Sequence, residues 1–252
     1  MENKFIKKIS YTLDSPYTYD PKNFGFKEIN GTGKGVKICV IDSGIPQHSV
    51  LPVFKTWTNV TNSNTFYDTL GHSTVISGTI SSNHETLKGM AYEAELKFVK
   101  AIDIEQKAGF DGLITGILWG IIQDVDIILM AVTSAYHNNT FHDVIKKAYN
   151  ENICLISSTG NENKIEYPSL YDEVLSVGSL NQSGLQAEYS AQGKINICSE
   201  NVPTTYLQNS YAYMSGTSVS AAITAAVMAR IIENNPNLTV NEYYQKIKEL
   251  KI

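Results

Sequence analysis

The chain has 252 residues and a mass of 27.9 kDa, a length that one α/β domain fills. Hydrophobic residues at 42% and charged residues at 18% exclude a disordered tail, a collagen or a coiled coil. The formal charge of −5 and the isoelectric point near 5.6 argue against nucleic acid or an anionic membrane as the main partner.

The first eight residues contain no apolar run of signal-peptide length. No stretch reaches the roughly 18 apolar residues of a membrane span, because residues 113–130 are interrupted by Gly116, Gly120, Gln123, Asp124 and Asp126. A cytoplasmic location is therefore expected. Cys39, Cys154 and Cys198 are odd in number and make no disulfide framework. Each has apolar neighbours, where a small buried thiol is the ordinary reading.

In chain order, residues 36–41 read as a strand ending at Asp42, and residues 71–78 as a helix of small and β-branched residues. Residues 96–102, 126–132, 152–157 and 174–177 read as further strands. Segments 112–123, 141–150 and 219–234 have helical spacing. Near-continuous Val/Ile/Leu runs suit strands covered on both faces. Strand–helix alternation predicts a predominantly parallel sheet with helices on both faces. Ligands then meet the protein beyond the carboxyl ends of the strands, so those positions are where chemistry is sought.

Asp42 stands there in Ile41-Asp42-Ser43-Gly44, where Gly44 lets the chain turn. It reads either as a plain turn residue or as a buried carboxylate that orients an imidazole. His72, at the start of the small-residue helix, is either a structural histidine or a base brought close to the strand ends. Ser218, in Ser215-Gly-Thr-Ser218, is either a helix cap or a hydroxyl beside the positive end of a helix. There Gly216 keeps the approach clear. Asn161, in Thr159-Gly-Asn161-Glu162, is either an Asx turn or an amide donor to an oxyanion. Taken together they give the chain order Asp…His…Ser, with an asparagine between the last two.

With these four boxes in that order, the chain resembles the subtilisin-like serine proteases, the subtilases, from about Ser15 onward. Trp119 and Tyr167-Pro168 match as well. The resemblance implies a short extension over residues 1–15 and a single catalytic domain over 16–252. It implies Ser218 as nucleophile, His72 as general base and then general acid, and Asp42 as the residue that fixes the imidazole. Asn161 and the Ser218 amide would hold the oxyanion. Loss of that amide donor in subtilisin costs about 10²–10³ in rate, and the same is expected of Asn161.

The sequence also departs from the family. Ala222 and Ile223 replace Pro-His after the serine, and Val75 replaces a second histidine; neither touches a proton-transfer group. Ala131, Val132 and Thr133 would line one side of the pocket for the residue before the scissile bond, with Thr133 narrowing it. Lys107 and Ala108, with Gln106, would pair with substrate from the other side by strand addition. Glu166 stands where relatives carry a small residue, and would select Arg or Lys there by charge-assisted hydrogen bonding. The competing reading is a solvated loop glutamate, paired with Lys164.

No metal and no cofactor are expected. Where relatives bind calcium this chain has Val50 and a short loop at residues 82–86, leaving too few oxygens. His137 and His142 have poor spacing for a metal and read as surface polar residues. About fifteen residues precede the matching region, so no pro-domain is expected. The resemblance then points to intracellular subtilases, including leader peptidases of lanthipeptide biosynthesis that act on a precursor peptide. A broad degradative protease and a catalytically silent binding module are the alternatives. Oligomeric state is left open.

Overall fold

The computed structural model describes residues 5–103 and 109–252. In chain order the elements begin with β1 (Ile6–Ser10), β2 (Tyr17–Thr18), a 3₁₀ turn (Pro21–Phe24), β3 (Lys37–Asp42), β4 (Trp57–Asn59), α1 (His72–Ser81) and β5 (Leu87–Lys88). Next come β6 (Glu95–Lys100), α2 (Phe110–Ile122), β7 (Ile127–Met130), α3 (Asn139–Asn150), β8 (Cys154–Ser158) and β9 (Val174–Leu180). The chain closes with β10 (Ile195–Cys198), β11 (Val202–Tyr206), β12 (Ser210–Met214), α4 (Thr217–Asn234) and α5 (Val240–Glu249).

Seven strands pair in parallel in the order β10-β9-β8-β7-β3-β6-β4. The apolar runs are strands because both faces of the sheet are covered. In β3, Ile38 and Val40 enter the core shared with α1, α4 and α5, while Cys39 and Ile41 enter the one shared with α2 and α3. The chain thus has the α/β architecture expected, with helices on both faces of a parallel sheet.

α4 is rich in small and aliphatic residues and buried almost end to end, as a central helix must be. Its run of Ala221, Ala222, Ala225, Ala226 and Ala229 lets it lie close against β7, β8 and β9. Each large aliphatic side chain buried there contributes roughly 1.5–3 kcal/mol, so the start of this helix is firmly located.

A second, antiparallel sheet runs β1-β12-β11. Ile6 pairs with Met214, and the Ser215 amide donates to Phe5 O at 2.9 Å. The first fifteen residues therefore include a strand tied to the chain just ahead of α4. Cys39 and Cys154 are buried as expected. Cys198 is only half-buried, because β10 ends at a surface cleft shared with Tyr17 and Glu200.

Candidate active site

The chemistry-bearing residues meet at the carboxyl edge of the parallel sheet. Asp42 is the last residue of β3 rather than the first beyond it, and it is fully buried. Gly44, at φ 129°, makes the turn that follows; a Cβ there would lie 2.6 Å from Phe66 O. A buried carboxylate costs several kcal/mol unless it is well hydrogen-bonded. Asp42 Oδ1 accepts from the Ser43 amide at 2.6 Å and lies 3.0 Å from Ser43 Oγ. Its two oxygens lie 2.9 and 2.8 Å from His72 Nδ1.

His72 is the first residue of α1, after Gly71. With Nδ1–H given to Asp42, Nε2 carries the free lone pair. Burial lowers the basicity of this ring, but the charge and hydrogen bond of Asp42, then the charge of Asp68, raise it. The net pKa lies above the ordinary 6.5.

Ser218 lies in the first turn of α4, and the cap is not Ser218 but Gly216, at φ 141°. A side chain at Gly216 would be strained whatever the space around it. The Ser218 hydroxyl donates to Ala131 O at 3.3 Å and makes no hydrogen bond to His72 among the described residues. Catalytic hydrogen bonds without substrate are often unformed. The Ser218 amide is one of the helix-start donors that lack an intrahelical acceptor.

Asn161 follows β8, and its Oδ1 accepts from Thr217 N at 3.1 Å and Thr217 Oγ1 at 2.9 Å. That commits the carbonyl end of the side chain to α4. Nδ2 is left without a hydrogen-bond acceptor among the described residues and lies 3.8 Å from where a Cβ on Gly216 would be, at the start of α4.

Glu166 is half-buried and accepts from Thr133 Oγ1 at 2.5 Å. Its Oε2 is 3.4 Å from where a Cβ on Gly160 would lie. Reciprocal backbone bonds between Ser134 and Tyr167, 2.8 and 2.9 Å, hold the two segments together. Thr133, Gly160 and Glu166 thus lie together, and no ion pair joins Glu166 to Lys164 among the described residues. Ala131 contributes its carbonyl to Ser218, whereas Val132 packs its side chain against the α2/α3 core and offers only main chain. Lys107 and Ala108, with Gln106, lie outside the described residues.

Asp68 and Ser43 complete the surroundings of Asp42 and escaped the sequence reading. Asp68 Oδ1 accepts from Ser43 Oγ at 2.9 Å, Leu70 N at 3.0 Å and Gly71 N at 2.9 Å. Its Oδ2 accepts from Thr74 N at 2.8 Å and Thr74 Oγ1 at 2.6 Å. An aspartate just ahead of a helix was the available signal.

The residues present do not fit calcium near Val50. There His48 Nε2 donates to Ser210 O at 3.0 Å, Nδ1 accepts from Val50 N at 3.3 Å, and Ser82 Oγ donates to Val50 O at 3.2 Å. His137 and His142 are more than surface polar groups. His142 stacks on Tyr171 at 4.0 Å and lies 3.0 Å from Glu173 Oε2, and His137 Nδ1 is 3.1 Å from Tyr171 OH.

Residues 33–251 match the Subtilase family. The chain is 31% identical over 226 residues to the minor extracellular protease Epr of Bacillus subtilis, covering 85% of this chain and 35% of that protein. It is 30% identical over 224 residues to a thermostable alkaline protease of Halalkalibacterium halodurans, covering 86% and 62%. To an intracellular serine protease of Paenibacillus polymyxa it is 30% identical over 220 residues, covering 79% and 67%. The chain therefore spans between about a third and two thirds of the length of these relatives.

Proposed function

The chain belongs to the subtilase family, and from that premise we propose that it is a serine endopeptidase whose catalytic domain is residues 16–252. Ser218 is the nucleophile, and His72 Nε2 takes its proton and returns it to the leaving amine. Asp42 fixes the imidazole and stabilises its charged form. Asn161 Nδ2 and the Ser218 amide hold the oxyanion of the tetrahedral intermediate. For the first step the Ser218 hydroxyl turns from Ala131 O toward His72.

The observation that carries this reading is the hydrogen-bonded pair of buried Asp42 and part-buried His72 at the sheet edge, together with a helix start whose neighbouring carboxamide already has its oxygen engaged. A fluorophosphonate probe is expected to label the folded wild-type protein and not Ser218→Ala. The same variant is expected to lose peptide hydrolysis by about 10³-fold or more. Absence of labelling in the folded wild type would make the chain a silent binding module.

Within that activity the substrate is a precursor peptide cut at a limited site, after a basic residue held by Glu166. The half-buried carboxylate held beside Thr133 and Gly160 supports this. A cytoplasmic setting fits three free thiols and the intracellular relative. Rapid digestion of unrelated denatured proteins would instead support a degradative role.

A further inference from the structure

His72 and Asp42 are held by a second buried carboxylate. The loop carrying it is stitched to the turn after β3, since Ile45 N donates to Phe66 O at 2.9 Å and Asp68 N to Ile45 O at 2.8 Å. Asp68 is only 8% exposed. It binds the amides of Leu70, Gly71 and Thr74, which fixes the backbone at which α1 and His72 begin. Ser43 Oγ lies between the carboxylates, 3.0 Å from Asp42 Oδ1 and 2.9 Å from Asp68 Oδ1, and it accepts from Ser73 N at 3.0 Å. One hydroxyl proton thus serves two acids.

A positive group on β6 lies near these two carboxylates. Lys100 is 2% exposed and donates to Tyr67 O at 2.8 Å, with its ammonium in the field of Asp68 and Asp103. The titratable and charged groups facing Asp68 from the packed elements are Asp42 of β3, His72 of α1, Lys100 of β6 and Tyr206 of β11. Asp103, beyond β6, acts on it through Lys100.

We propose that Asp68 is a positioning residue for the peptidase reaction, acting on Asp42 and His72 through Ser43 Oγ and the first turn of α1. This rests on the reading that Asp42, His72 and Ser218 carry the chemistry. Asp68 acts in two separable ways: its hydrogen bonds hold the geometry, and its charge favours imidazolium.

Asp68→Asn keeps the size, removes the charge and turns one accepting oxygen into an NH2 donor that cannot accept from the amides there, so the acid limb is the readout of the charge. Ser43→Ala keeps the charge and removes the bridge. One hydrogen bond to a charged group corresponds to about tenfold in rate. For Asp68→Asn, kcat is expected to fall about tenfold at nearly constant KM. Imidazolium loses a nearby negative charge, so the acid limb of kcat/KM should move to lower pH by about half a unit. For Ser43→Ala the same fall in kcat is expected with the acid limb in place.

If both variants stay within twofold of wild type in kcat with unmoved acid limbs, the proposal is overturned, even if they melt at lower temperature. Should Asp68→Asn not fold, Ser43→Ala decides alone: a tenfold fall in kcat supports the bridge, and an unchanged kcat rejects it. Hydrolysis that survives Ser218→Ala would overturn the triad reading itself. Silence of Ser218→Ala with both other variants unaffected would overturn only the role of Asp68.

Discussion

Glu166 has one of its two oxygens engaged by Thr133, which orients the carboxylate over Gly160. Under the proposed specificity, a basic side chain meets a half-buried carboxylate whose conformation Thr133 already restrains, so little entropy is lost on binding. A charge-assisted hydrogen bond in such a place is worth about 1.5–3 kcal/mol, or about 10–100-fold in kcat/KM. Matched peptides with Arg, Leu or Gln before the cut are expected to be hydrolysed in the order Arg, Gln, Leu. Glu166→Gln should lower kcat/KM for the Arg peptide by about 10–100-fold and leave the Leu peptide nearly as it was. A wild-type preference for Leu would show that the residue before the cut is read by shape and that the charge of Glu166 plays no part.

Among the elements, α1 is the one whose placement depends most on small residues, because it presses against β11. A Cβ on Gly78 would fall 2.8 Å from Thr205 N and against the hydroxyls of Thr204 and Thr205. Those hydroxyls donate to Val75 O at 2.8 Å and Thr74 O at 2.7 Å, so they cannot yield without losing bonds to the helix. Gly78→Ala is expected to destabilise the protein by about 2 kcal/mol, a fall in Tm of several degrees by calorimetry. Activity should fall beyond the loss of folded protein, since α1 carries His72. Strands β3, β6, β7, β8 and β9 of the parallel sheet and the helices α2, α3 and α4 were legible because burial on one or both sides leaves a strong apolar pattern, whereas its edge strands β4 and β10 were not read. Short strands such as β1, β2 and β5 leave none. The β11–β12 hairpin turns at Gln208 and Asn209, both at positive φ, without the Gly that usually marks such a turn. α5 had a signal that went unread, the capping box of Thr239 and Glu242. At the site, residues that perform chemistry stood out by type and order, whereas Asp68 and Ser43 act through contacts that only folding creates.

Across the whole molecule, loops that a calcium ion would join are joined by protein groups. His48 bonds to Ser210 O across 162 positions of sequence, the Ser49 amide donates to Asn209 Oδ1 at 2.8 Å, and Ser82 Oγ and the Asn83 amide both reach Val50 O. A chelator is therefore expected to leave Tm unchanged, and a drop of several degrees would contradict this closure. Protons should affect the clamp where chelators do not. Its imidazole needs Nδ1 unprotonated to accept from Val50 N, and burial holds its pKa below 6.5, opposed only by the bond to Ser210 O. A group with a lowered folded pKa stabilises the fold fully above 6.5 and loses that contribution as pH falls toward the folded pKa. His72, with its raised pKa, has the opposite sign: its contribution is complete below 6.5 and fades as pH rises. Replacing His48 by Gln keeps a donor for Ser210 O and removes the titration. The Tm difference between wild type and His48→Gln is then expected to be constant above pH 7 and to shrink between pH 6.5 and 5. A difference that grows on acidification would mean that the clamp binds the imidazolium form.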